Sequence, residues 1–277
     1  LCYSNEALIM ETAKRVRAEF DHFHMDAVSI MPPDGYTAIC QCDLCKGKDS
    51  PERDSRGLAS DYVWGFVNRV AKEVAKTHPT KKVCNCAYGI YTLPPLKIDK
   101  LEPNVVVGIV GGRDPISKGF ASNAAKLRAE WQAKSANPIF VFENYPFTDR
   151  GWYLPTFIPH TLGDGINATK GMSAGEDIWL SVTRDFETKD IAFNHQLVYF
   201  TQRMYWGGKS ANVDTMFREY VRLYYGPAEA EMNAFFDFCE ANWIATEKDK
   251  AKADTALALR SRHRQQLIEI APVRLDR

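Results

Sequence analysis

Three acidic positions follow segments that are typical of buried strands, and carboxylates at such positions can act as acids, bases or nucleophiles. Asp34 follows Val-Ser-Ile-Met-Pro-Pro, Glu143 follows Ile-Phe-Val-Phe, and Glu176 follows a glycine-rich segment. Hydrolysis of a glycosidic bond uses one carboxyl group to protonate the leaving oxygen and a second group to handle the developing positive charge. We therefore predict catalytic roles for Glu143, Asp34 and Glu176, with Glu143 as the general acid.

An N-acetylated sugar allows a second route, in which its acetamido oxygen attacks the anomeric carbon and no enzyme nucleophile is needed. A carboxylate of the protein would then orient the acetamide. Asp177 or Glu176 is the candidate, because adjacent side chains in an irregular loop are not forced onto opposite faces as they are in a strand. The alternative for each carboxylate is structural, as the cap of a following helix or the partner of a lysine.

Three cysteines, Cys40, Cys42 and Cys45, lie in one short loop. Their thiolates can supply three ligands of a structural zinc ion, which takes four in a tetrahedral site. The fourth ligand would have to come from one of Cys2, Cys84 and Cys86. A disulfide between Cys40 and Cys45 is an equal alternative in an oxidising compartment. We expect the catalysis itself to require no cofactor.

Aromatic residues follow several predicted strand ends, and flat rings with polar edges suit the faces of sugars. The candidates for substrate binding are Tyr88, Tyr145, Trp152 and Trp179. Arg113, directly after two glycines, can bind a carboxylate or a hydroxyl group of a substrate. The structural alternative is that each ring covers the core and that Arg113 is a surface charge.

Helical and strand patterns alternate through the first part of the chain, and this alternation is what would bring the candidates together. Apolar periodicity predicts helices over 6–20, with Ser4 or Asn5 as the N-cap, over 58–76 and around Leu127 and Trp131. The predicted strands cover 27–31, 83–88, 105–110 and 138–142, with a weaker fifth around 165–172.

Continuous apolar strands separated by helices indicate a parallel sheet that is covered on both faces. We predict an α/β fold in which residues 1–187 form the C-terminal part of a (β/α)8 TIM-like barrel and residues 188–277 form an α-helical region. The remaining strands would lie upstream of a chain that starts at Leu1 without methionine. A doubly wound open sheet is the alternative. The helices predicted for the second region are 188–206, 213–225 with Asn212 as its cap, 228–243 and a charged one over 250–270.

The charge balance excludes several classes of partner. The 35 basic residues equal the 35 acidic ones, so no overall field favours nucleic acid or an anionic membrane. No apolar stretch approaches the ~20 residues that a membrane span needs, and the first residues show no signal-peptide pattern. We expect no nucleic-acid partner and no membrane span.

Several motifs occur together in one order along the chain. They are Asp34-Gly35, the cysteine triplet 40–45, Asn68 within Phe-Val-Asn-Arg-Val-Ala, Ala87-Tyr88, and Tyr224-Tyr-Gly-Pro-Ala228. Together they resemble the domain of unknown function 4838 family, secreted bacterial proteins with a glycoside-hydrolase-like barrel. The resemblance spans roughly residues 1–240, and its most specific parts are the cysteine triplet and the Tyr-Tyr-Gly-Pro-Ala element.

The resemblance implies a secreted or periplasmic bacterial hydrolase of carbohydrate metabolism, whose partner is an oligosaccharide or a glycoprotein glycan. Some family members are similar to endo-β-N-acetylglucosaminidases of N-linked glycans, and more distant relatives are α-glucuronidases. A glycan-binding barrel without activity is the other class of function that the resemblance allows. The sequence departs from the family pattern at Cys84 and Cys86, and at Glu143-Asn-Tyr145, where an Asp-Tyr pairing is expected.

Overall fold

A computed structural model of the chain describes residues 1–111, 120–143, 158–178, 187–208 and 211–248. The charged helix expected over 250–270 lies outside these residues, as do Arg113, Tyr145, Trp152 and Trp179. The described residues form two compact units. The sheet unit contains residues 1–111, 121–143 and 171–178, and the helical unit contains residues 158–170, 187–208 and 211–248.

The sheet unit is built on five parallel strands that pair in the order of the sequence. The strands are β1 (Ala27–Ser29), β2 (Lys82–Ala87), β3 (Val105–Val110), β4 (Phe140–Glu143) and β5 (Glu176–Ile178). A doubly wound sheet reverses its strand order at a switch point. The five described strands show no reversal, so the mixed α/β architecture is consistent with part of a TIM-like barrel.

One helix precedes β1, one lies between β1 and β2, and one lies between β3 and β4, close to the predicted positions. They are α1 (Glu6–Phe23), α2 (Ser60–Ala75) and α3 (Phe120–Lys134). Of the two predicted candidates, Asn5 caps α1, because its side-chain oxygen accepts the backbone N–H of Ala7 at 2.8 Å. The core between α2 and α3 contains Trp64 and Trp131, whose ring centroids are 4.5 Å apart and whose indole N–H groups donate to backbone carbonyls.

The two faces of the sheet differ in what covers them. Val83 and Asn85 of β2 and Val107 of β3 point to one face and are fully buried, as expected beneath helices. The opposite face carries the half-buried Cys84 and Cys86 and, in register with Cys86, Gly108 and Phe140. A Cβ at position 108 would lie 2.4 Å from the Phe140 ring and 2.8 Å from the Cys86 sulfur, so the ring requires glycine there.

The helical unit packs four helices around an aromatic and aliphatic core. They are α4 (Pro159–Thr169), α5 (Glu187–Trp206), α6 (Val213–Tyr225) and α7 (Glu229–Lys248). The Asn212 cap is confirmed, since its side chain accepts the Thr215 N–H at 2.9 Å. Leu162, Phe200, Phe217 and Phe236 are among its core residues. Within the described part of the chain, no helix is both long and apolar enough to cross a membrane.

The strand predicted over 165–172 is wrong. Residues up to Thr169 belong to α4, and the fifth strand follows at Glu176–Ile178. Leu162, Ile166 and Thr169 lie on one buried helical face, and Gly163 permits close packing because a Cβ there would lie 2.4 Å from Val213. The glycines of this segment hid the helical periodicity. The segment of α4 belongs to the helical unit, whereas the predicted boundary at 187 placed it with the barrel.

A charged network joins three helices of the helical unit. The buried Glu240 of α7 accepts the backbone N–H of His160 at 2.9 Å, and so caps the first turn of α4. The His160 ring bonds Glu240 at 2.6 Å and Asp214 of α6 at 3.0 Å. Burial lowers the pKa of His160, but its bonds to Glu240 and Asp214 outweigh burial and raise that pKa above its usual value.

This network predicts a stability that depends on pH. The folded protein holds the His160 proton more tightly than the unfolded chain, so the stabilisation is complete below the unfolded pKa of about 6.5 and is lost as the pH rises through the higher folded pKa. The thermal midpoint should therefore decrease as the pH is raised from neutral to mildly alkaline values. The His160→Gln variant should lose much of this dependence, and His22→Gln, a change at an exposed histidine of α1, should keep it. Equal pH profiles for the two variants would contradict the assignment.

Candidate metal centre and strand-end carboxylates

Four cysteine sulfurs come together beside the start of α1. The Cys2 sulfur lies 3.3 Å from that of Cys45 and 3.5 Å from that of Cys42. With Cys40 included, all four sulfurs lie within 4.8 Å of one another. Four Zn–S bonds of about 2.3 Å in a tetrahedron place the sulfurs about 3.8 Å apart. The donor set therefore fits a single metal ion, and the four cysteines could bind one.

Two local turns produce this cluster. The carbonyl of Cys42 accepts the backbone N–H groups of Cys45 at 2.8 Å and Lys46 at 2.9 Å. These bonds close a tight turn between Cys42 and Cys45. The carbonyl of Cys2 accepts the Asn5 N–H at 3.0 Å, immediately before α1. Tyr3, between these two residues, is buried, and its burial fixes the position of Cys2.

The cluster favours a thiolate at Cys45. Burial raises the pKa of this thiol, but hydrogen bonds from Ser4, Tyr62 and Cys2 outweigh burial and lower it to about 6. Its hydrogen bond to Cys45, together with burial, raises the pKa of the Cys2 thiol to about 12. One deprotonated sulfur among close neighbours is a suitable first ligand for a soft divalent cation.

The structure decides among the sources of the fourth sulfur. Cys2 supplies it, whereas Cys84 and Cys86 lie on β2 and are not part of the cluster. All seven cysteines of the chain are free thiols. The disulfide considered between Cys40 and Cys45 is therefore not formed, since a disulfide needs a sulfur–sulfur distance of about 2.05 Å.

Asp34, Tyr88 and Glu143 lie at the same edge of the sheet, beyond or at the carboxyl ends of β1, β2 and β4. Asp34 is exposed in a turn, where its carboxylate accepts the N–H of Gly35 at 2.9 Å. Tyr88 directly follows β2 and is half-buried against the core. Glu143 is the last residue of β4 and is only 2% exposed. Glu143 is thus the most enclosed of the three.

The prediction that Glu176 lies at a carboxyl strand end is wrong. Glu176 is the first residue of β5, and β5 begins early because Ala174 already donates its N–H to Ile139 at 2.7 Å. Its carboxylate binds Arg128 of α3 at 2.5 Å, and the two side chains are 10% and 3% exposed. Glu176 is therefore half of an enclosed ion pair.

Asp177 also differs from its prediction, because it lies in β5 and not in an irregular loop. Adjacent side chains of a strand point to opposite faces. Since Glu176 points toward α3, Asp177 points to the other face, next to its register partner Phe142. Asp177 is exposed on the face that carries Cys86 and Phe140.

Sequence reasoning missed the residues that support these sites. Tyr62 and Ser4 contact Cys45, and Arg128 pairs with Glu176. Tyr62 lies on the apolar face of α2, where a tyrosine that bonds a sulfur looks the same as one that only fills the core. Arg128 directly follows Leu127 in a helix that was recognised from its apolar residues alone. No local spacing connects either residue to its partner.

Comparison with known proteins assigns the chain to a family. The family model described as Domain of unknown function (DUF4838) matches residues 1–237. The chain belongs to this family. No curated protein and no solved structure matches the chain.

The ion pair predicts how the chain responds to changes on β5. Glu176→Gln leaves the Arg128 guanidinium enclosed without its charge partner, which should destabilise the sheet unit by about 3–5 kcal/mol. Asp177→Asn makes the same chemical change at the exposed neighbour and should have little effect on stability. Denaturant unfolding of both variants measures the difference. Equal stability would show that the ion pair contributes little.

Proposed function

We propose that the chain is the C-terminal part of a (β/α)8 barrel glycoside hydrolase of bacterial carbohydrate metabolism, secreted or periplasmic, with Glu143 as the general acid. The observation that carries the proposal is an enclosed carboxylate at the carboxyl end of β4, 2% exposed. Enzymes with parallel barrels place catalytic groups at this edge. The sequential parallel order of the five described strands supports the same architecture.

The proposed substrate is a glycan that contains an N-acetylated sugar. Along the sheet, β1 and β4 are three strand spacings apart, or about 14 Å at ~4.8 Å each. Acid and nucleophile carboxylates of a retaining glycosidase are only about 5 Å apart. A substrate whose acetamido oxygen attacks the anomeric carbon needs no second carboxylate at that distance. Asp34 lies in an exposed turn five residues beyond the end of β1, and we propose the substrate-assisted route because it needs no second carboxylate beside Glu143.

The remaining candidates differ in their relation to Glu143. Asp177 is exposed on the face of Phe142, opposite the face to which Glu143 points, so it does not orient an acetamide beside Glu143. Tyr88 contacts a sugar face, since it follows β2 at the edge where Glu143 ends β4. Glu176 has a structural role through Arg128. Glu143 donates a proton to the glycosidic oxygen as the bond to the leaving sugar breaks.

The acid role of Glu143 predicts a selective loss of activity. Glu143→Gln keeps the shape of the side chain and removes its transferable proton, so kcat on an active glycan should fall by about 100-fold or more while binding remains. A substrate with a nitrophenol leaving group should lose much less, because its departure needs little protonation. Glu52→Gln, at an exposed glutamate, is the matched control and should retain full activity.

Two results would contradict the proposal in different ways. Near-normal hydrolysis of the natural glycan by Glu143→Gln would remove Glu143 from the acid role. Binding to a glycan array without release of reducing ends from glycoproteins or uronoxylan would instead identify a glycan-binding protein without activity.

We further propose that the cysteine cluster holds a structural zinc ion. Four thiolates are the donor set of structural zinc sites, which leave no open position for a substrate. When bound, zinc supplies a cross-link between the N-terminal segment, through Cys2, and the loop after β1, through Cys40, Cys42 and Cys45.

The zinc proposal predicts one ion per chain after folding with zinc under reducing conditions, measured by elemental analysis. Cys2→Ser removes one of the four sulfurs, so this variant should retain little zinc after desalting. Cys239→Ser changes a cysteine of α7 outside the cluster and should retain the full amount. Absence of bound metal, with all four clustered thiols open to alkylation, would exclude the site.

A further inference from the structure

We propose that Tyr62 is a positioning residue of the metal centre. Its hydroxyl group hydrogen-bonds the Cys45 sulfur and connects this ligand to the N-terminal segment. This inference rests on the proposed zinc site. Tyr62 is not one of the four ligands. The inference therefore concerns the zinc affinity of the site and the ordering of the N-terminal segment when metal binds.

The hydroxyl group of Tyr62 stands between a backbone donor and a sulfur acceptor. Its oxygen accepts the backbone N–H of Tyr3 at 2.8 Å and lies 3.1 Å from the Cys45 sulfur. A metal-bound cysteine is a thiolate and can only accept. Because the Tyr3 N–H already points at the oxygen, the hydroxyl hydrogen of Tyr62 is free to point at the sulfur. The Tyr3 N–H group, the Tyr62 hydroxyl group and the Cys45 sulfur thus form two consecutive hydrogen bonds.

The surroundings of Tyr62 make this contact rigid. Tyr62 lies in the first turn of α2 and is 6% exposed, while Cys45 is fully buried. The ring of Tyr3 stacks on Phe66 of the same helix, with centroids 4.3 Å apart. Val63 and Val67 anchor α2 in the core of the sheet unit. A buried hydrogen bond in such a setting fixes the orientation of a metal ligand.

The arrangement joins three segments that are distant in sequence. Tyr3 belongs to the N-terminal segment, Cys45 to the loop after β1, and Tyr62 to α2. A metal ion that holds Cys45 as a thiolate strengthens the Tyr62 bond, because hydrogen bonds to charged acceptors are the stronger ones. Tyr62 in turn holds the Tyr3 backbone. Metal binding should therefore order residues 1–5 against α2.

Tyr36 offers a matched control within the same aromatic cluster. Its ring stacks on Tyr3 with centroids 5.8 Å apart. Its hydroxyl group is buried and has no hydrogen-bond partner among the described residues. Tyr36→Phe thus removes a tyrosine hydroxyl beside the metal centre without removing a bond to sulfur.

The first experiment measures zinc affinity of the full chain by competition with a chromophoric chelator. Tyr62→Phe should bind zinc about 10-fold more weakly, the lower end of the effect of removing a partner of a metal ligand. Tyr36→Phe should bind as the unchanged protein does. Equal affinities for the two variants, with zinc still bound by the unchanged protein, would overturn the role of Tyr62 and leave the zinc site standing. Failure of the unchanged protein to bind zinc would overturn both.

Cobalt(II) in place of zinc provides a spectroscopic test that a purely structural role would not affect. A hydrogen bond stabilises the sulfur lone pair, so its removal lowers the energy of the sulfur-to-cobalt charge-transfer band. Tyr62→Phe should shift this band to longer wavelength, and Tyr36→Phe should leave it unchanged. Identical bands in the two variants would contradict a bond from Tyr62 to the ligand.

A third measurement needs no substitution and remains decisive if Tyr62→Phe does not fold. Hydrogen exchange of the unchanged chain is compared with and without zinc. The amide of Tyr3, which donates to Tyr62, should exchange more slowly with zinc, while amides of α6 in the helical unit should not change. Exchange at Tyr3 that is independent of zinc would overturn the proposal.

Discussion

Parallel pairing of neighbouring strands is the constraint on which the sheet unit depends. Each strand must be followed by a crossover before the next can pair, so every carboxyl strand end opens into a connection at one edge. The loop with the cysteine triplet, Tyr88 and the end of β4 at Glu143 are therefore collected at that edge. Backbone hydrogen bonding thus groups these residues although they are distant in sequence.

The sequence predicted the parts of the fold that depend on local pattern. The strand over 105–110 was predicted at its observed bounds because it is a continuous apolar run, and α6 because Asn212 caps a strongly amphipathic segment. The pattern failed over 159–169, where glycines allow close helix packing and weaken the apolar periodicity. A helix of this kind is stabilised by packing against neighbouring helices, which the local sequence does not show.

For the candidate sites, the sequence likewise predicted only the groupings of residues that are close together along the chain. Three of the clustered cysteines are near neighbours in sequence and were recognised together, whereas Cys2 was one of three alternatives for the fourth, because only the folded chain brings it close. Glu176 and His160 show the same limit. Their partners Arg128 and Glu240 come from helices distant in sequence, so spacing along the chain could not distinguish an enclosed ion pair or a helix cap from a surface charge.

The contact between Gly108 and Phe140 has a consequence for sequence variation. The ring occupies the space that a side chain at 108 would need, so a change at either position alters what the other can tolerate. A larger residue at 108 is compatible only with a smaller one at 140, and the ring at 140 keeps its place only while 108 stays glycine. Positions 108 and 140, on adjacent strands, should therefore vary in a correlated way among related chains.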